Sequence, residues 1–323
     1  MKNADYIYAV ASIRVKEKTL LSDTDIQTLV GMKDKKDILQ FIKEKGWGSD
    51  SSENDIDKVF SAEETKVNNI LDSLKVDEAI IDVLSYDKKY HNLKTAVKEV
   101  CTGNEDMKAF YSIEDLSGEM LLKVLKENDY EKLPEHMRQV AVKAKDLMLT
   151  TRDGQRLDIM VDRACLDATE AVAKTSKDKF ISDYAESKVA MADIKIAVRA
   201  ASTKRKRSFL EEALAPCQSF DVSKLADAAA ESPEAVYNFL EKKGYGEAVN
   251  AIKESYSSFE KWCDDHIMSG LMGEKHNTMG SGPVVAYYLA RQNEIRTVRI
   301  IVTAKENGFP EETIRERVRK MYG

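Results

Sequence analysis

The chain has 323 residues with a formal net charge of −6, 33% charged and 7% aromatic residues, and only 14 glycines and 5 prolines. A chain of this length can bury a core without disulfide or metal staples, and it divides most naturally into two or three domains. Its acidic balance argues against a dedicated nucleic-acid binder, and its scarce helix breakers favour long helices over strands and tight turns.

The four cysteines (Cys101, Cys165, Cys217, Cys263) form no CxxC pair, so they read as buried reduced thiols, neither a zinc ribbon nor a redox motif. The segment from Met1 to Tyr8 has no apolar run of the signal-peptide type. No stretch approaches the ~20 apolar residues of a spanning helix. The nearest, Gly282 to Ala290, is short and ends at Arg291. A soluble protein is expected.

Along the chain, Ile38 to Trp47 reads as an amphipathic helix closed by Gly46 with an aromatic after it. Val83 to Val100 reads as a second helix, with Leu93, Ala96, Val97 and Val100 forming one apolar stripe at i, i+3, i+4, i+7. Asp106 to Glu114 lacks periodicity and reads as a linker, followed by a helix over Leu121 to Tyr130 that resembles the first. Ile181 to Ala201 repeats the apolar stripe with Ile194, Ala197, Val198 and Ala201. The run Lys204-Arg205-Lys206-Arg207 follows, and Ala215-Pro216-Cys217 breaks the chain. Val236 to Tyr245 is a third relative of the first helix, closed by Gly244. Ser269 to Pro283 reads as a loop leading into a last helix, Val284 to Lys305, whose stripe holds Ile295, Val298 and Val302, with Arg299 in the fourth place.

The three striped helices share a core: Asn92-Leu93-Lys94, Asp193-Ile194-Lys195 and Glu294-Ile295-Arg296 each read polar, aliphatic, basic, at a constant interval of 101 residues. That interval is the length of a small domain and too long for a tetratricopeptide or HEAT repeat. The expectation is an all-α protein of three similar helical domains, 1–110, 111–215 and 216–323. Leu93, Ile194 and Ile295 are expected in the core, and Asn92, Asp193 and Glu294 in recurring polar contacts between helices.

Little in the chain signals chemistry. The glycines at 270, 273, 280 and 282 lack the phosphate-loop pattern. Cys263-Asp264-Asp265-His266 with His276 does not fit a structural zinc spacing, and neither His91 nor His136 has a partner suggesting a triad. No catalytic residue, cofactor or metal is expected. Lys204, Arg205, Lys206 and Arg207 read either as a solvated helix end or as a docking patch for an acidic partner or lipid headgroups.

Tyr8 to Leu21, with Arg14, Lys16 and the closing Leu20-Leu21, resembles the opening helix of the C subunits of archaeal- and vacuolar-type rotary ATPases, a family lettered d in the eukaryotic vacuolar enzymes. Asp87, Asn92, Leu93 and Lys94 look like that family's first-domain motif. Gly282-Pro283, Tyr287, Glu294, Ile295, Arg299, Gly308-Phe309-Pro310 and Ile314 look like its C-terminal motif. The resemblance implies a funnel-shaped protein of three helical domains about a pseudo-threefold axis. It implies a non-catalytic member of the central stalk, a monomer within a larger hetero-complex. The socket would receive the central-shaft subunits, and the protein would sit on the cytoplasmic, inner face of the membrane proteolipid ring. There it would couple ATP chemistry to proton or sodium transport. Two other classes stay open on the residues alone: a helical enzyme whose small-molecule site carries no motif, and a helical scaffold outside any ATPase.

Overall fold

The computed structural model describes residues 6–48, 55–74, 76–104, 106–113 and 115–323, and contains no strand among them. Met1 to Asp5 and Glu114, which entered the readings of the N-terminus and the linker, lie outside the described residues. Sixteen α-helices follow one another in the described chain. They are α1 (Ile7–Glu17), α2 (Asp23–Gly31), α3 (Lys35–Glu44), α4 (Ile56–Ser73), α5 (Glu78–Thr102), α6 (Gly118–Glu127), α7 (Glu135–Thr151) and α8 (Gly154–Thr175). The second half holds α9 (Lys179–Ser202), α10 (Arg207–Ala213), α11 (Val222–Glu231), α12 (Pro233–Lys242), α13 (Gly246–Glu254), α14 (Tyr256–Leu271), α15 (Gly282–Glu306) and α16 (Glu311–Arg317).

Local chemistry explains many of the boundaries. Ser22 starts α2 with a reciprocal capping box to Asp25, Ser117 caps α6 through the Met120 amide, and Asp221 caps α11 through the amides of Ser223 and Lys224. The three related short helices end as their sequences suggest: the residues that close them, Gly46, Asn128 and Gly244, take the left-handed φ values 84°, 57° and 86°. The striped helices are longer than expected by up to five residues at an end: α5 and α15 start earlier where Ile80 and Gly282-Pro283 are buried, and α9 starts at its Asp178 cap, whose side chain accepts from the Phe180 amide. The loop expected over Ser269 to Pro283 is shorter: α14 runs on to Leu271 because Met268 and Leu271 are buried, and a 3-10 turn covers Met272–Lys275.

The chain gathers into two compact units. One joins residues 1–78 to 244–323; the other is the continuous stretch 79–243. In the first, Ile295, Val298 and Ile301 of α15 pack with Ile26 and Leu29 of α2, Ile38 and Ile42 of α3 and Phe60 of α4. In the second, Leu93, Ala96 and Val97 of α5 pack with Leu121 and Leu125 of α6 and with apolar residues of α7 and α8. A satellite core there joins Val189 of α9 to Leu166 and Ala215.

Candidate functional site

The three aliphatic positions of the repeat, Leu93, Ile194 and Ile295, are all buried, each near the middle of a helix of 24 or 25 residues. The polar residue before each is equally hidden: Asn92, Asp193 and Glu294 are 0%, 0% and 1% exposed. A buried polar group must find a partner, and each finds a backbone amide. Tyr111 N–H donates to Asn92 Oδ1 (2.8 Å), Ala215 N–H to Asp193 Oδ1 (2.9 Å) and Leu21 N–H to Glu294 Oε1 (2.6 Å). Asn92 adds two bonds from Nδ2, to the carbonyls of Tyr111 (2.9 Å) and Leu116 (3.2 Å). The segments so held lead directly to the capped starts of α6, α11 and α2. Each long helix therefore ties down the approach to a shorter one by a side-chain acceptor at the same place in the 101-residue interval.

Glu294 belongs to a larger charged cluster. The Arg291 guanidinium, 1% exposed, donates to Glu294 Oε2 (2.8 Å) and to Thr19 through Oγ1 (2.7 Å) and the carbonyl (3.2 Å). Its Nε lies 3.4 Å from Glu63 Oε1 on α4, and Glu63 Oε2 takes Lys66 at 3.2 Å. The rings of Trp47 and Tyr287 lie 5.7 and 6.0 Å from the guanidinium carbon. Burial pushes the Glu294 carboxyl up, to about 8, against the pull of Arg291 and the Leu21 amide. Arg291 and Glu63 did not stand out in the sequence as functional. The signal is visible in retrospect: Arg291 sits one turn before Glu294 on the inward stripe of α15, and Glu63 sits on the inward stripe of α4 with Val59, Phe60 and Val67.

Asp193 has no such counter-charge in contact. Its Oδ2 is buried with no hydrogen-bond partner among the described residues, while Arg163 is engaged by Asp167 and the carbonyl of Leu214. Burial pushes its carboxyl from 3.8 to about 7, opposed by the Ala215 amide. The folded protein thus keeps a proton that the unfolded chain releases above about pH 4. This acid therefore supports folding most at low pH, and that support is lost as pH rises from about 4 to about 7, by roughly 2–4 kcal/mol. The variant Asp193→Asn keeps the Oδ1 acceptor and reproduces the residue type of position 92. In denaturant unfolding followed between pH 4.5 and 7.5, the variant is expected to be the more stable at the upper end and to lack this part of the slope. Parallel profiles would refute the assignment.

The basic run is divided by the structure. Arg207 is taken up internally, by Asp227 (2.6 Å), Ser223 (2.9 Å) and Glu211. Arg205 lies 5.2 Å from the centre of the Phe209 ring. Lys204 and Lys206 are exposed.

The remaining motif residues have ordinary surroundings. His91 contacts the Ala109 carbonyl (3.1 Å), His136 the Tyr90 hydroxyl (3.1 Å), and His266 stacks near Trp262. Cys165 and Cys263 are buried thiols, and Cys101 and Cys217 half-buried ones. Among the described residues, no three His, Cys, Asp or Glu side chains group closely enough to hold a metal ion, and no helix is long and apolar enough to cross a membrane. The family-like residues of the opening helix serve packing within their unit: Arg14 donates to Glu17 (2.6 Å) and to the carbonyls of Glu274 (2.6 Å) and Asn277.

The C subunit of the V-type sodium ATPase of Enterococcus hirae is 21% identical over 282 residues, which cover 84% of this chain and 84% of that protein. The family described as ATP synthase (C/AC39) subunit matches residues 9–317, from within α1 to the end of α16, and takes in all three buried polar positions. The chain belongs to the ATP synthase (C/AC39) subunit family.

Proposed function

We propose that this chain is a non-catalytic member of the central stalk of a V/A-type rotary ATPase, coupling the central-shaft subunits to the membrane proteolipid ring on its cytoplasmic face. The observation that carries the reading is the span of the family match, residues 9–317, which covers nearly all of this chain. The mechanics suit it. A part that passes torque must keep its shape under load, and helices of 25 residues span about 38 Å as stiff rods. The buried acceptors at 92, 193 and 294 tie neighbouring backbone to those rods.

The same three ties support a division into three units, 1–110, 111–215 and 216–323. Each unit's long helix carries the tie, and the tied segment leads to a capped helix of the next unit, Tyr111 to α6 and Ala215 to α11. For the third, the tied segment is Leu21, from the other end of the chain. The Glu294 tie joins the third repeat helix to the first residues of the described chain, as a head-to-tail succession of three quasi-equivalent units would.

Sizing chromatography tests the proposal. Mixed with the shaft subunits of the same organism, the chain is expected to co-elute at micromolar concentrations and then to bind purified ring in detergent. Separate elution well above micromolar would overturn the coupling role. Titration with Mg-ATP is expected to give no stoichiometric heat, whereas a helical enzyme using nucleotide would give one.

A further inference from the structure

We propose that the turn between α9 and α10 is a docking surface for an acidic segment of a partner polypeptide, presented by Lys204 and Lys206. The inference goes beyond the coupling role and holds whichever assembly the chain joins. It rests on how the structure sorts four consecutive basic residues.

Arg207 anchors the turn from below through Asp227, Ser223 and Glu211. Arg205 covers Phe209. The backbone between them is held by Lys204 N–H to the Ala201 carbonyl (3.2 Å) and Arg205 N–H to the Ala200 carbonyl (2.9 Å). Lys204 and Lys206 are left exposed, and neither ammonium group has an intramolecular partner among the described residues. Lys204 also stands at φ 52°, a left-handed conformation that glycine or asparagine takes with least strain. Two unpaired ammonium groups thus project from an ordered turn on a chain whose net charge is −6. A partner would find the backbone already arranged, so little ordering entropy opposes its binding.

Charge complementarity calls for an anion, and the surroundings favour a polypeptide over a lipid surface. Basic segments that bind membranes either gather about 4–8 Lys and Arg, where this turn presents two lysines, or place exposed apolar side chains beside their charges. Here no large hydrophobic residue from 195 to 215 is exposed, and the nearest aromatic, Phe209, is covered by Arg205.

The test uses the full chain and a fluorescein-labelled deca-glutamate peptide, followed by anisotropy over a salt series. Two double variants remove equal charge. Lys204→Asn with Lys206→Gln removes the surface and suits the left-handed backbone; Lys242→Gln with Lys243→Gln alters exposed lysines at the end of α12. Circular dichroism and melting should be unchanged in both. The wild type is expected to bind, with affinity falling as salt rises over the ~10 Å screening length of 0.1 M. The 204/206 variant should bind roughly tenfold more weakly, the loss of two exposed charge pairs. The 242/243 variant should stay within about twofold of wild type. Equal losses in both variants would reduce the effect to net charge and overturn the proposal, and so would undiminished binding by the 204/206 variant. Binding to phosphatidylserine vesicles without binding to the peptide would overturn it in favour of a lipid surface.

Discussion

Arg291→Met is expected to destabilise the unit built from residues 1–78 and 244–323 by about 3–5 kcal/mol, the usual result of removing one partner of a buried ion pair. The guanidinium is the positive centre between Glu294 and Glu63, and it holds Thr19 at the close of the opening segment. Methionine fills similar space but removes the charge between the two buried acids, leaving Glu63 only Lys66 on its other oxygen and Glu294 only the Leu21 amide. Denaturant unfolding should show the loss, and hydrogen exchange should show Leu21 losing protection early, since its amide depends on Glu294. Combining Arg291→Met with Glu63→Gln and Glu294→Gln should recover most of the stability, because no buried charge is then unmatched. A loss below about 1 kcal/mol for the single change would mean that water reaches the cluster and screens it.

Ile194→Asp is expected to damage the other unit at least as severely. Ile194 is buried at the centre of α9, and the change removes its apolar contacts and places a carboxylate in the cavity that remains. Core truncation alone costs about 2–5 kcal/mol, and burying an unpaired charge adds to it. Loss of soluble expression is one acceptable outcome. The milder Ile194→Val should fold and lose about 0.5–1.5 kcal/mol, which keeps the expectation measurable. Leu93→Asp and Ile295→Asp should behave alike if the three helices occupy equivalent settings. Tolerance of Ile194→Asp with an unchanged melting temperature would remove α9 from the core and take with it the structural meaning of the 101-residue interval.

The all-helical class, the three long helices and the inward placement of Leu93, Ile194 and Ile295 were legible from the residues. Helical periodicity is a local property, and an apolar stripe at i, i+3, i+4, i+7 states which face must be buried before its cover is known. The left-handed closures at Gly46 and Gly244 were legible for the same reason: a helix end is specified within a few residues. The family was legible too, since the residues that resemble it lie on or beside those same local elements.

Partners were less legible. Asn92, Asp193 and Glu294 stood out by position, but which amide each would accept depends on the path of the chain; Glu294 bonds Leu21 across 273 residues. Arg291 looked like the polar end of an apolar run, and becomes a buried charge only because α4 and the opening segment bring Glu63 and Thr19 against it. The four basic residues after α9 looked alike, until α11 placed Asp227 beside Arg207 and left the two lysines outside. Which face a helix buries follows from its own side chains, because burial is driven by apolar area and needs no particular neighbour. Which hydrogen bond or ion pair a buried polar group makes follows from geometry between distant segments, because these interactions act only within about 3–4 Å.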